Sequence, residues 1–494
     1  VTLRQLALTI ISPLLLLSCS RAQLGSNAIH AFLLAHAAEI QQAQQSIPDR
    51  LPGESKPRLS PAEAQAAFHA VDEILKWVSN DTGLPITGQV NRDLATRAEM
   101  ERYNADEMRR DGGAEEMRRS ELVLKKFGLL PRDFELESFL MKLLREQVVA
   151  FYAPEKKTVF LLDWVDPASL RPVLAHELTH ALQDQAIDID KWIKPENSAG
   201  DHQDSTAAEA EDERDAARRA VLEGQGMITM LDFVEEPRGR NALSAVGDAQ
   251  QIIDQMGSGK DSPIFRAAPL YIRETMAFPY RYGMQFERAM LGHGGRKLAF
   301  EGVLQDPPAN AREIMEPRSY LQHERVAPIP IPDLAGITKD QFERVAAGPI
   351  GAFDVHTLAM QFSKTSVADR IAREWRGGYY IAMREAQHEH DPLGPAELKL
   401  IYVSHWSSAK AAEQFFDVYA HSILERYAGA KLQSDAAAST EEHSSEWQTS
   451  EGPVLIHRVG DAIVVCESFP LETAKRIREA AFAALKSSPD IAVR

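Results

Sequence analysis

Residues 166–185 read Asp166-Pro167-Ala168-Ser169-Leu170-Arg171-Pro172-Val173-Leu174-Ala175-His176-Glu177-Leu178-Thr179-His180-Ala181-Leu182-Gln183-Asp184-Gln185. An aspartate followed by proline is a helix start, because the carboxylate caps free N–H groups and proline is pre-set for the first turn. Leu170, Val173, Leu174, Leu178, Ala181 and Leu182 then recur at helical spacing as a stripe to be buried. His176 and His180 stand one turn above one another on that helix, so both imidazoles reach one zinc ion at about 2.0–2.1 Å. Glu177 projects beside them, where a carboxylate accepts a proton from water made acidic by the metal. The chemistry this pattern points to is hydrolysis of an amide or ester.

On the N-terminal side of this helix, Gln147 to Tyr152 and Thr158 to Leu162 are two β-rich runs joined by Pro154-Glu155-Lys156-Lys157, a hairpin signal. Earlier still, helical periodicity predicts helices over 62–78, 94–111, 114–127 and 134–146. After the histidines, a long helix is expected from Thr206 to Val234, then a Gly/Ser/Pro-rich loop over 237–263, then helix from Pro269 to about Gln305. From Glu397 the texture changes to a strand at 398–406, a helix at 408–427, a Ser/Glu-rich loop at 433–446, strands at 453–458 and 462–467, and a helix at 471–486. The fold class expected is helix-rich α+β: a metal-binding domain over 62–330, a helical connection over 331–396 and a small α+β domain over 397–494.

The remaining 61 residues read as targeting. Arg4 precedes the apolar run Leu6–Leu17, which is too short for an ordinary membrane span. The run ends in Leu16-Leu17-Ser18-Cys19, which resembles the lipobox of bacterial lipoproteins. It implies a signal peptide over 1–19, a lipid anchor on Cys19, a tether over 20–61 and a place in the cell envelope. Cys466 is the other of the two cysteines and lies in the apolar run Ala462–Cys466, so it reads as a buried strand residue. A net charge of −17 repels phosphate backbones and argues against a nucleic-acid partner.

The segment from Phe151 through Gln185, with AHELTHALQDQ, and the later LEGQG over 222–226 resemble the zinc metallopeptidases called gluzincins, within a set of exported bacterial proteins. The similarity extends from about Thr82 to Tyr320 and implies a zincin-like domain, a peptide or protein substrate, and a third zinc ligand that is a glutamate on a later helix. Glu223 is the choice here: it follows Ala220-Val221-Leu222 and precedes Gly224 and Gly226, whose missing side chains let helices approach closely. Asp212, three turns earlier on the same face, is the runner-up. The gluzincin mechanism also asks for a His or Tyr donor to the oxyanion. Tyr280, Tyr282 and His293 are candidates, Tyr280 first.

Asp184 stands one turn beyond His180, where it either orients a ligand imidazole or is an exposed helical carboxylate. His388-Glu389-His390-Asp391 and His202 read as solvated polar segments. The function expected is zinc-dependent endopeptidase activity with His176, His180 and Glu223 on the metal and Glu177 as base. The alternative is a non-catalytic zincin-like lipoprotein acting as a binding or assembly factor.

Overall fold

A computed structural model describes residues 60–494, except 97–98, 101, 103–112, 148–149, 163–166, 194–205, 257–262, 339–340, 389–392, 489–490 and 492–494. The signal peptide, Cys19, nearly all of the tether, His202 and Glu389 to Asp391 therefore lie outside the described residues, as does the Asp166 cap. The first described helix, α1 (Pro61–Thr82), starts with a reciprocal cap. The Ser60 hydroxyl accepts from the Glu63 N–H, and the Glu63 carboxylate accepts from the Ser60 N–H. Gly83 ends it at φ 83°. Strand β1 (Asn91–Ala95) and helices α2 (Gly113–Phe127) and α3 (Leu136–Gln147) follow.

The hairpin forms as β2 (Ala150–Ala153) and β3 (Thr158–Leu162), antiparallel with Phe151 opposite Phe160. β1 joins it in parallel, giving the order β1-β3-β2, with β2 at an edge. The histidines lie on α4 (Pro167–Ile187). α4 packs against α1, β2 and the long α5 (Thr206–Glu235), and α5 runs along α7 (Leu270–Arg296), with α6 (Val246–Met256) between them in sequence. Gly224 and Gly283 make the α5–α7 crossing possible. A Cβ on Gly224 would collide with the Gly283 carbonyl, and one on Gly283 with the Ala220 carbonyl. A π-helix, Lys297–Gly302, continues α7 after a break at Gly295.

The second half is built on a seven-stranded sheet in the order β4-β5-β6-β10-β9-β8-β7, antiparallel throughout. The strands are β4 (Phe342–Pro349), β5 (Trp375–Glu385), β6 (Lys399–Trp406), β7 (Lys431–Ser439), β8 (Glu442–Thr449), β9 (Gly452–Val459) and β10 (Ala462–Glu467). Helices α8 (Ala352–Phe362), α9 (Thr365–Glu374), α10 (Ala409–Arg426) and α11 (Leu471–Ser487) surround it. Alternation along β6 divides the core: Leu400, Tyr402 and Trp406 join the helical body, whereas Ile401 and Val403 face α11 with Ile477 and Leu485. The molecule is helix-rich α+β. No helix among the described residues is long and apolar enough to cross a membrane.

Several expected boundaries change. Residues 331–396 are more than a helical connection: besides α8 and α9 they contribute β4 and β5, and β5 pairs with β6 from Trp375 opposite Trp406 onward. Gly377-Gly378 and a half-buried β4 blur the period-2 signal there. The Ser/Glu-rich stretch 433–446 is the β7–β8 ribbon, whose outer strand is exposed on both faces and so carries no apolar alternation. Within 237–263, Val246–Met256 is helical, and Asn91–Ala95 is a strand at the start of the helix expected over 94–111.

Candidate metal centre

Helix α4 is buried all round rather than along one stripe, with every residue from Val173 to Asp184 inside. Its polar side chains must therefore find partners within the protein. Thr179 donates back to the Ala175 carbonyl at 2.8 Å. Asp184 accepts from the Tyr152 hydroxyl at 2.7 Å, from Lys157 Nζ at 2.6 Å and from the Ile189 N–H at 3.2 Å. This carboxylate fastens the hairpin to α4 and does not orient a ligand imidazole. The polar group that meets His180 is instead Gln183, whose Oε1 lies 2.8 Å from His180 Nδ1.

His176, His180 and Glu223 come together. His176 Nε2 is 3.1 Å from His180 Nε2 and 3.1 Å from Glu223 Oε2, and His180 Nε2 is 3.5 Å from the same carboxylate oxygen. Three ligand atoms each about 2.05 Å from a tetrahedral zinc stand about 3.3 Å from one another. The observed spacings bracket that edge length, so two imidazoles and one carboxylate are placed where they could hold a small divalent cation. Asp212 lies elsewhere, close enough to Tyr380 to help burial raise that phenol.

Electrostatics agree with the geometry. Burial holds the His176 imidazole below its usual range. For His180 burial acts in the same direction, but the Glu223 carboxylate outweighs it and raises the ring. Burial would raise Glu223, yet the two histidines keep its carboxyl well below the ordinary range. The Glu223 carboxylate thus favours positive charge on the His180 side of the cluster, while burial opposes it at His176.

Glu177 is buried next to the centre. Its Oε2 accepts from the Tyr152 N–H at 2.9 Å, and its Oε1 has no hydrogen-bond partner among the described residues. Burial pushes its carboxyl up to about 8. The Tyr280 ring is buried and lies nearly parallel to His176, with centroids 6.4 Å apart and planes at 25°. Tyr282 instead packs on Phe278 and meets His356 edge to face, and His293 is exposed near the end of α7. Gly226 sits against the His176 ring, where a Cβ would meet Cε1 at 2.7 Å.

Sequence reasoning missed Tyr152, Gln183 and Gln225. Gln183 follows His180 by three positions and so shares its face, a spacing visible in the sequence. Nothing local marks Gln225 as its partner across 42 residues. Comparisons with protein-family models, curated proteins and solved structures find no match for this chain.

Proposed function

We propose that the chain is a zinc-dependent endopeptidase with a zincin-like domain, exported and held at the cell envelope by lipid on Cys19. The observation that carries this is the convergence of two imidazole nitrogens and one carboxylate oxygen at 3.1, 3.1 and 3.5 Å, with Glu177 beside them. Zinc on His176, His180 and Glu223 would polarise a peptide carbonyl and bring the pKa of water towards about 7. The Tyr152 N–H fixes one oxygen of Glu177 and leaves Oε1 to accept the proton of the attacking water and return it to the leaving nitrogen. Tyr280, against His176, is assigned as the donor to the oxyanion. The anchor rests on the sequence pattern Leu16–Cys19.

One observation favours a second reading, a zincin-like binding or assembly lipoprotein without turnover: His176 is only 1% exposed and His180 7%. Protein lacking residues 1–19 separates the two. Chelator-sensitive cleavage of an unstructured protein supports the peptidase, whereas one zinc per chain without cleavage across a broad substrate panel supports the binding protein.

A further inference from the structure

Two buried amides stand behind the metal centre, and we propose that Gln183 and Gln225 are positioning residues that fix the tautomer of His180. This rests on the proposal that His176, His180 and Glu223 hold a metal. The chain of hydrogen bonds starts at two backbone carbonyls, which only accept. The Ala299 carbonyl lies 2.7 Å from Gln225 Nε2, so the amide nitrogen of Gln225 points there and its Oε1 points towards Gln183. That oxygen accepts from Gln183 Nε2 at 2.8 Å, and the same nitrogen donates to the Leu222 carbonyl at 3.1 Å. Both N–H groups of the Gln183 amide are then used, and its oxygen faces His180 Nδ1 at 2.8 Å.

An amide oxygen only accepts, so His180 Nδ1 carries the hydrogen, and in the neutral ring, the form that can ligate a metal, Nε2 presents the lone pair. That lone pair faces His176 Nε2 and the Glu223 carboxylate, an arrangement that a cation stabilises. Gln183 and Gln225 are fully buried, so water does not replace either amide. The anchoring carbonyl belongs to the π-helix, a form that recurs at functional sites.

The relay ties α4, α5 and the π-helix to one ligand nitrogen. Its neutral amide supports the imidazole without adding a second negative charge beside Glu223, which would leave a bound metal more electrophilic than a carboxylate in the same place would.

The test is zinc affinity by competition with a chromophoric chelator, together with the cobalt(II) absorption spectrum, on the chain lacking residues 1–19. Gln183→Leu and Gln225→Leu are expected to weaken zinc binding by about 10- to 100-fold and to alter the cobalt spectrum. Gln225→Glu is the rescue: a buried, protonated carboxyl there donates to Ala299 and accepts from Gln183, so affinity should stay within about threefold of the parent. Should Gln183→Leu fail to fold, the Gln225 pair decides. Parental affinity and spectrum in Gln225→Leu would overturn the relay while leaving the metal site standing. A parent chain that binds no zinc would overturn both.

Discussion

The backbone N–H of Tyr152 donates to Glu177 Oε2 at 2.9 Å, so the edge strand of the small sheet holds the carboxylate that follows the first histidine. Glutamine at 177 keeps an oxygen for that N–H but cannot take up a proton. Glu177→Gln should therefore keep one zinc per chain and lose cleavage by a factor of about 10² or more. Metal analysis and initial rates on the same preparation check this. Undiminished cleavage would remove Glu177 as the base.

Gly226 gives the His176 ring its place, since a Cβ there would lie 2.7 Å from Cε1. The ring is fully enclosed and has nowhere to retreat. Gly226→Ala should lower zinc affinity by about tenfold or more and lower the melting temperature. Gly247 in α6 is the control: a Cβ there meets nothing within 4 Å. Gly247→Ala should leave zinc binding alone and raise stability by about 0.5–1 kcal/mol. Equal zinc affinities in the two variants would contradict the contact.

A pH dependence follows from Asp81. It shares Arg296 with Asp232, each carboxylate 2.8 Å from the guanidinium. Burial first, then Asp232, push the Asp81 carboxyl up to about 7 against the pull of Arg296. Unfolded aspartate titrates near about 3.9, so between the two values the folded state holds a proton that the unfolded chain has released. The stability from this group is full below about pH 4 and is lost as pH rises through about 7. Urea unfolding should show the parent losing roughly 1–3 kcal/mol relative to Asp81→Asn between pH 5 and pH 8. A difference that stays constant across that range would exclude Asp81 as the source.

Much of this architecture was legible because local signals and tertiary demands agree. The histidine spacing, the Pro154–Lys157 turn and the stripe over 170–182 each specify one element, and α4 and the β2–β3 hairpin form where they fall. The place of Glu223 beside the histidines was legible only in part: Gly226 lies against the His176 ring, as close approach to α4 requires, whereas Gly224 marks the crossing of α5 with α7. What escaped depended on distant partners. Gln183 and Gln225 are defined by each other and by the Ala299 carbonyl, and Asp184 by a tyrosine and a lysine of the hairpin. Likewise β4 and β7 are edge strands of the seven-stranded sheet, and an edge needs less apolar surface than a centre.

If Glu223 completes the proposed metal site with His176 and His180, zinc content per chain must depend on it. Purified parent, Glu223→Ala and Asp212→Ala proteins lacking residues 1–19 are dialysed against trace zinc, and bound metal is measured by mass spectrometry. Glu223 Oε2 is 3.1 Å from His176 Nε2 and 3.5 Å from His180 Nε2, whereas Asp212 lies towards Tyr380. The parent and Asp212→Ala should each hold close to one zinc, and Glu223→Ala should hold almost none while keeping its helical circular dichroism. Zinc retained by Glu223→Ala and lost from Asp212→Ala would contradict the assignment.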